Sequence, residues 1–172
     1  MSDELLVVRC QLGERDAFTD LVQAWHPTVE RYVGRMLGRP DDDVVQEIWL
    51  AVVKGLPRLR QPDRFTPWLF TVARRAVMNR LRDAYTRPDP EPIDDLPGSD
   101  ETEGVVHRET VAGALAALPA REREVLMLFY LEDLPVEACA QICAVPTGTI
   151  KSRLNRARIL LRQELIRKGY EA

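Results

Sequence analysis

Residues 88–104, PDPEPIDDLPGSDETEG, cannot build a core. Ile93 and Leu96 are the only large apolar side chains among prolines, acids, Gly and Ser. Such a stretch buries too little apolar surface to offset the entropy of ordering it, and it reads as an acidic flexible linker. It therefore splits the 172 residues into two small domains. The expected boundaries are 1–87 for the first domain, 88–106 for the linker and 107–172 for the second.

Both halves read as helical, so the expected fold class is all-α. Apolar residues recur at helical spacing from Asp16 to Leu37 (Phe18, Leu21, Val22, Trp25, Val29, Tyr32, Val33, Met36). Pro27 is expected to kink or interrupt this segment. Gly38 and Pro40 stop it. Asp41, Asp42 and Asp43 then open a second helix, because acids suit the positive end of the helix dipole. That helix ends at Gly55 and Pro57. After a loop, RLRQPDRFT, a third helix is expected from about Pro67 to Tyr85. In the second half, Val105 to Leu118 has a helical pattern, and Pro119 separates it from AREREVLMLFYLE. No stretch reads convincingly as a strand.

The last third holds two short amphipathic segments, PVEACAQICA at 135–144 and VPTGTIKSRLNRAR at 145–158, joined by a tight turn. That pattern is a helix-turn-helix with a basic second helix, suited to the DNA major groove. Ala140 is small where the helices must cross. Ile150, Leu154, Ala157 and Leu161 form one apolar stripe. From Thr147 to Lys168 there are seven basic residues and one acid, Glu164.

A second basic block, FTPWLFTVARRAVMNRLRDAYTR at 65–87, joins aromatics to arginines. Aromatics beside cations hold unstacked bases while neutralising phosphate. Leu69, Phe70 and Val72 read as core, whereas Arg75, Asn79 and Arg82 read as DNA contacts.

Net charge is only −3, yet it is partitioned. Residues 58–87 carry eight basic residues and two acids, while 88–109 carry one and eight. Phosphate binding needs local positive charge, which these blocks supply. No apolar run approaches the roughly 18 residues of a membrane span, and MSDELLVVRC lacks the features of a signal peptide. A cytoplasmic protein without membrane insertion is expected. Cys139 and Cys143 lie four apart, and with His107 they could be imagined as a metal or redox site. They suit small core positions better, and neither a metal nor a cofactor is expected. His26 and His107 sit in no catalytic pattern, so no enzyme is expected. His26 reads as part of a helix junction.

Together these segments resemble the extracytoplasmic-function class of sigma-70 RNA polymerase sigma factors. DAFTDLVQAWHPTVERYVGRML, DDDVVQEIWLAVVKGL and RFTPWLFTVARRAVMNRLR are similar to the promoter-melting domain, region 2. LPAREREVLMLFYLEDLPVEACAQICAVPTGTIKSRLNRARILLRQEL is similar to region 4. The resemblance implies a sigma factor that binds core RNA polymerase at the β′ clamp helices and the β flap. It implies contact with promoter DNA, both duplex and melted, and control by an anti-sigma factor in a stress or envelope-signal regulon. It assigns Asp42, Asp43, Gln46, Glu47, Trp49 and Leu50 to polymerase docking. It assigns Arg60, Gln61, Asp63, Arg64, Phe65, Trp68, Arg74, Arg75, Asn79 and Arg82 to the −10 element. Thr149, Lys151, Ser152, Arg153, Asn155, Arg156 and Arg158 fall to the −35 element. The linker resembles the segment threaded toward the RNA exit path.

The chain departs from the family pattern at Ala144, where the turn usually has glycine, and at Pro135 and Pro146, where capping Ser or Thr is common. Arg75 replaces a common Asn. Two rivals remain open: a helix-turn-helix regulator that is not a polymerase subunit, and a sigma-like adaptor that sequesters a regulator. The first needs a dimer surface and a ligand cavity. The second should lack a basic recognition helix.

Overall fold

In a computed structural model, which describes residues 2–86 and 103–170, with side chains after the linker from 108 onward, the chain divides into two compact units, Met1–Pro90 and Glu91–Ala172. Most of the expected linker lies outside the described residues. Helix α5 already begins at Glu103, within the span expected to be linker. Among the described residues there is no strand.

The first unit opens with a helix the sequence reading passed over, α1 (Asp3–Gln11), capped by Ser2 accepting from the Leu5 N–H. Next comes α2 (Arg15–Leu37), which runs through Pro27 without interruption. That corrects the expected break. A helical proline loses one backbone bond and crowds the preceding turn, but here it is exposed, and buried residues on both sides, Leu21 and Val29, hold the halves to one core. Gly38 ends α2 with φ 74°, a left-handed conformation that glycine adopts without Cβ strain.

Asp41 starts α3 (Asp42–Gly55). One of its carboxylate oxygens accepts from the Val44 N–H at 3.1 Å, and the other accepts from Arg80 Nε at 3.0 Å. The N-cap of α3 is thereby tied to α4 (Phe65–Thr86). Between them lie two 3-10 turns, Leu56–Arg58 and Pro62–Arg64. The core centres on aromatic edges. Tyr32 and Phe70 meet at 5.4 Å, Trp25 and Phe65 at 5.8 Å, and both pairs are T-shaped. Such pairs add about 0.5–1.5 kcal/mol beyond the area they bury.

The second unit consists of α5 (Glu103–Ala116), α6 (Ala120–Leu126) running into a π-helical turn (Met127–Leu131), α7 (Val136–Cys143) and α8 (Thr147–Arg167). Its core is aliphatic: Ala114, Leu118, Val125, Met127, Leu128, Ile142, Ile150 and Leu154 are buried. The Arg123 guanidinium donates to the Ala116 and Leu118 carbonyls at 2.8 and 2.9 Å, closing the open end of α5. Burial pushes the pKa of this guanidinium down. Cys139 and Cys143 are buried on α7 and not joined in a disulfide, and burial raises Cys139 to about 11. The side chain of His107 lies outside the described residues.

Candidate nucleic-acid and polymerase interfaces

The turn between α7 and α8 decides where the basic helix points. Ala144 adopts φ 53°, ψ 45°. The Val145 N–H bonds back to the Ala140 carbonyl at 3.1 Å, and the Ala144 N–H bonds to Gln141 at 3.3 Å. This is a Schellman closure with alanine in the left-handed seat usually given to glycine. A Cβ there costs roughly 1–2 kcal/mol. Pro135 and Pro146 sit at the N-caps of α7 and α8 with no side-chain cap. The first-turn N–H groups of α8 consequently have no side-chain acceptor.

On α8, Ile150, Leu154 and Ala157 are buried. The helical repeat puts Lys151, Ser152, Asn155 and Ile159 on the opposite side, and all four are exposed. Thr149 and Arg153 are half-buried flanking residues. Arg156 is exposed and lies 3.6 Å from Glu122 of α6. Arg158 donates to the Tyr130 hydroxyl at 2.7 Å and stacks over that ring at 5.6 Å. The structure thus brings the seven −35 candidates onto one helix but turns Arg158 toward its own unit. Beside it runs an open groove of about 500 Å³, lined by Val111, Leu115, Leu126, Leu161, Leu165 and Ile166.

In the first unit, Arg60, Gln61, Asp63 and Arg64 are all exposed on the turns before α4, and Arg75, Asn79 and Arg82 are exposed along α4. Arg74 is half-buried. Phe65 needs correction. It is 1% exposed, its ring held between Trp25 and Trp68, so it has no free face for a base. An aromatic at a helix start was read as a platform when the hydrophobic effect had claimed it for the core. Trp68 is half-buried at the end of α3, where a Cβ on Gly55 would stand 2.7 Å from Trp68 Cζ2. Glycine is required there for close approach.

Along α3, Asp43, Gln46, Glu47, Leu50, Val53 and Lys54 recur at three- and four-residue spacing and are exposed, as is Asp42. Leu50 and Val53 are 54% and 49% exposed, an apolar centre within a charged border. Val53 was not singled out from the sequence, although its spacing from Leu50 could have found it. Trp49, the other correction, faces inward. Its indole donates to His26 Nδ1 at 3.1 Å, and His26 Nε2 lies 3.2 Å from Glu30. His26 therefore joins α2 to α3. Among the described residues no cluster of His, Cys, Asp and Glu could hold a metal ion. Nor is any helix long and apolar enough to cross a membrane.

Known proteins share this layout. Residues 21–87 match the family Sigma-70 region 2, and residues 108–161 match Sigma-70, region 4. The chain is similar to the ECF RNA polymerase sigma factor SigW of Bacillus subtilis, with 25% identity over 89% of this chain and 91% of that one. It is also similar to the ECF RNA polymerase sigma-E factor of Escherichia coli K12, with 29% identity over 92% and 91%. Among solved structures, the sigma factor RpoE in complex with the anti-sigma factor NepR from Bartonella quintana aligns with a TM-score of 0.74 and 25% identity, covering 89% of this chain and 98% of that one. CnrH in complex with the cytosolic domain of CnrY aligns at 0.69 and 26%, covering 98% and 99%. With both helical units matched in order and the relatives covered nearly end to end, the chain belongs to the extracytoplasmic-function class of sigma-70 RNA polymerase sigma factors.

Proposed function

We propose that this sigma factor docks on the β′ clamp helices of core RNA polymerase through the outer face of α3, reads the −35 element with α8, and captures the melted −10 element with the turns before α4. The observation that carries this reading is the division of α8. Ile150, Leu154 and Ala157 are buried on one side, and Lys151, Ser152 and Asn155 stand exposed on the other. Polar side chains on such a helix reach base edges in the major groove, each good pair discriminating by roughly 1–3 kcal/mol. The uncapped N-terminus of α8 suits a phosphate. Arg60, Arg64, Arg75 and Asn79 supply cations and an amide for melted DNA, offsetting the few kcal/mol that unstacking a base costs. The apolar groove beside α8 suits the β flap. No covalent step is involved, since binding energies alone select and open the promoter.

The acids and Leu50 on α3 form a protein-docking surface rather than a DNA surface, which favours a polymerase subunit over a free-standing regulator. The solved sigma factor RpoE bound to the anti-sigma factor NepR supports control of the same kind here. The signal would be a stress or envelope cue, and the site of action the cytoplasm. Run-off transcription with core enzyme and promoter fragments tests the reading. Specific transcripts are expected, and D43R/E47R should lower core affinity at least tenfold while the protein stays folded. DNA binding without transcripts would favour the free-standing regulator.

A further inference from the structure

The turns between α3 and α4 are held from behind by a residue outside every candidate surface. Their own backbone bonds are local. The Leu59 N–H donates to Leu56 at 3.1 Å and the Arg64 N–H to Gln61 at 3.0 Å. The Leu56 N–H also donates to Val52 of α3, and the Phe65 N–H at the start of α4 donates to Pro62, so these bonds join each turn only to the helix beside it. Gln11, the last residue of α1, ties the first turn to a third helix. Its side-chain amide donates to the Leu56 carbonyl at 3.0 Å and to the Leu59 carbonyl at 2.8 Å. A primary amide has two N–H groups, so each carbonyl receives one. Both bonds are partly buried and span 45 and 48 residues of chain. Helix α1 also packs against both 3-10 turns. Buried Leu56 and the tight Gly55–Trp68 approach anchor the segment where it leaves α3. With the backbone gripped this way, Arg58, Arg60, Gln61, Asp63 and Arg64 all remain exposed.

We propose that Gln11 is a positioning residue for capture of the −10 element, fixing the turn backbone so that its outward side chains are arranged before DNA arrives. The inference rests on the assignment of these turns to melted DNA. Without the two bonds the Leu59 carbonyl turns to water and the Leu56 carbonyl keeps only the Leu59 N–H, the turn samples more conformations, and the cost of ordering it shifts to the DNA-binding step. Gln11 touches no DNA. It acts only through Leu56 and Leu59.

The test uses holoenzyme reconstituted with core polymerase and a promoter carrying a fluorescent base in the −10 element. Gln11→Met keeps the length and packing of the side chain but removes both donors. Gln11→Lys restores donors. Q11M should open the promoter about tenfold more slowly, as expected for one or two lost hydrogen bonds, while Q11K recovers most of the rate. Core affinity and −35 preference should change little in both, and the unfolding midpoint of Q11M should fall only by what one or two hydrogen bonds contribute. Wild-type opening by Q11M overturns the proposal. So does a loss of core affinity that parallels the loss of opening, or a Q11K protein as slow as Q11M. The double variant R60A/R64A separates the two layers. If it opens promoters normally, the assignment of the turns to melted DNA fails. If it is slow while Q11M is not, only the role of Gln11 fails.

Discussion

The two units present basic side chains by different means. In the second, the proposed recognition surface is one face of one helix. Residues at 150, 154 and 157 fix its inner side, and residues at 151, 152 and 155 follow on the outer side from the helical repeat alone. In the first, the exposed groups before α4 lie on irregular turns, and distant parts of the chain set their position. Gln11 reaches them from α1, and Arg80 holds the start of α3 through Asp41, 39 residues away. A surface built on a helix inherits its geometry locally. A surface built on turns has to be braced from elsewhere.

Substitutions that remove either kind of support should sharpen this contrast. The largest effect is expected for Phe70→Ala. Phe70 is 1% exposed and contacts Trp25 and Tyr32 edge to face. Its loss should destabilise the first unit by about 3–5 kcal/mol while leaving the unfolding of the second unchanged, as followed by hydrogen exchange in each. Equal loss of protection in both units would contradict separate cores.

A smaller effect is expected at Asp41. Asp41→Ala removes both the cap of α3 and the tie to Arg80, and should cost the first unit roughly 2 kcal/mol. Asp41→Asn retains a capping oxygen and should cost about half as much. Chemical denaturation measures both. Equal costs would mean that the long-range brace alone matters, and an Asp41→Asn protein as stable as the wild type would mean that the cap alone does.

In the second unit the expected change has the opposite sign. Ala144→Gly relieves the left-handed alanine and should stabilise the unit by about 1 kcal/mol, seen as a raised unfolding midpoint with −35 preference unchanged. A loss of stability would mean that the strain at φ 53° is offset by packing of the methyl group.

The last effect is absent at neutral pH and appears only in alkali. Cys139 has a folded pKa raised from 9.0 to about 11 by burial. Folding therefore favours the neutral thiol. The stability this contributes is complete below pH 9 and is lost as pH rises toward 11. Unfolding of the second unit should become easier across that window, and Cys139→Ala should remove the dependence. Native protein at neutral pH should also resist thiol labelling at Cys139.

The same contrast explains what could be read from the residues alone. The faces of α8 and the cores of α2 and α4 follow from local spacing, whereas the left-handed seat of Ala144 was signalled only by the family resemblance, because alanine itself does not favour that conformation. Phe65 and Trp49 were misjudged because periodicity does not say which aromatic at a helix start or beside an acidic face is claimed by a neighbouring helix. The closure of α2 over Pro27 depends on burial on both sides of it. Helix α1 was passed over although Ser2, Asp3 and Glu4 form a capped, acid-led start. Nothing near Gln11 in sequence points to carbonyls 45 and 48 residues onward.

Transcription from a promoter library, randomised at both elements and read with holoenzymes carrying substitutions in each unit, tests the division of labour most directly. Asn155→Ala and Arg156→Ala should relax or shift −35 preference, by roughly 1–3 kcal/mol for a base-reading contact, with −10 preference retained. Arg75→Ala and Asn79→Ala should impair opening or alter −10 preference, with −35 preference retained. If the Asn155 and Arg156 variants keep their −35 preference while the Arg75 and Asn79 variants lose it, the assignment of the two surfaces is contradicted.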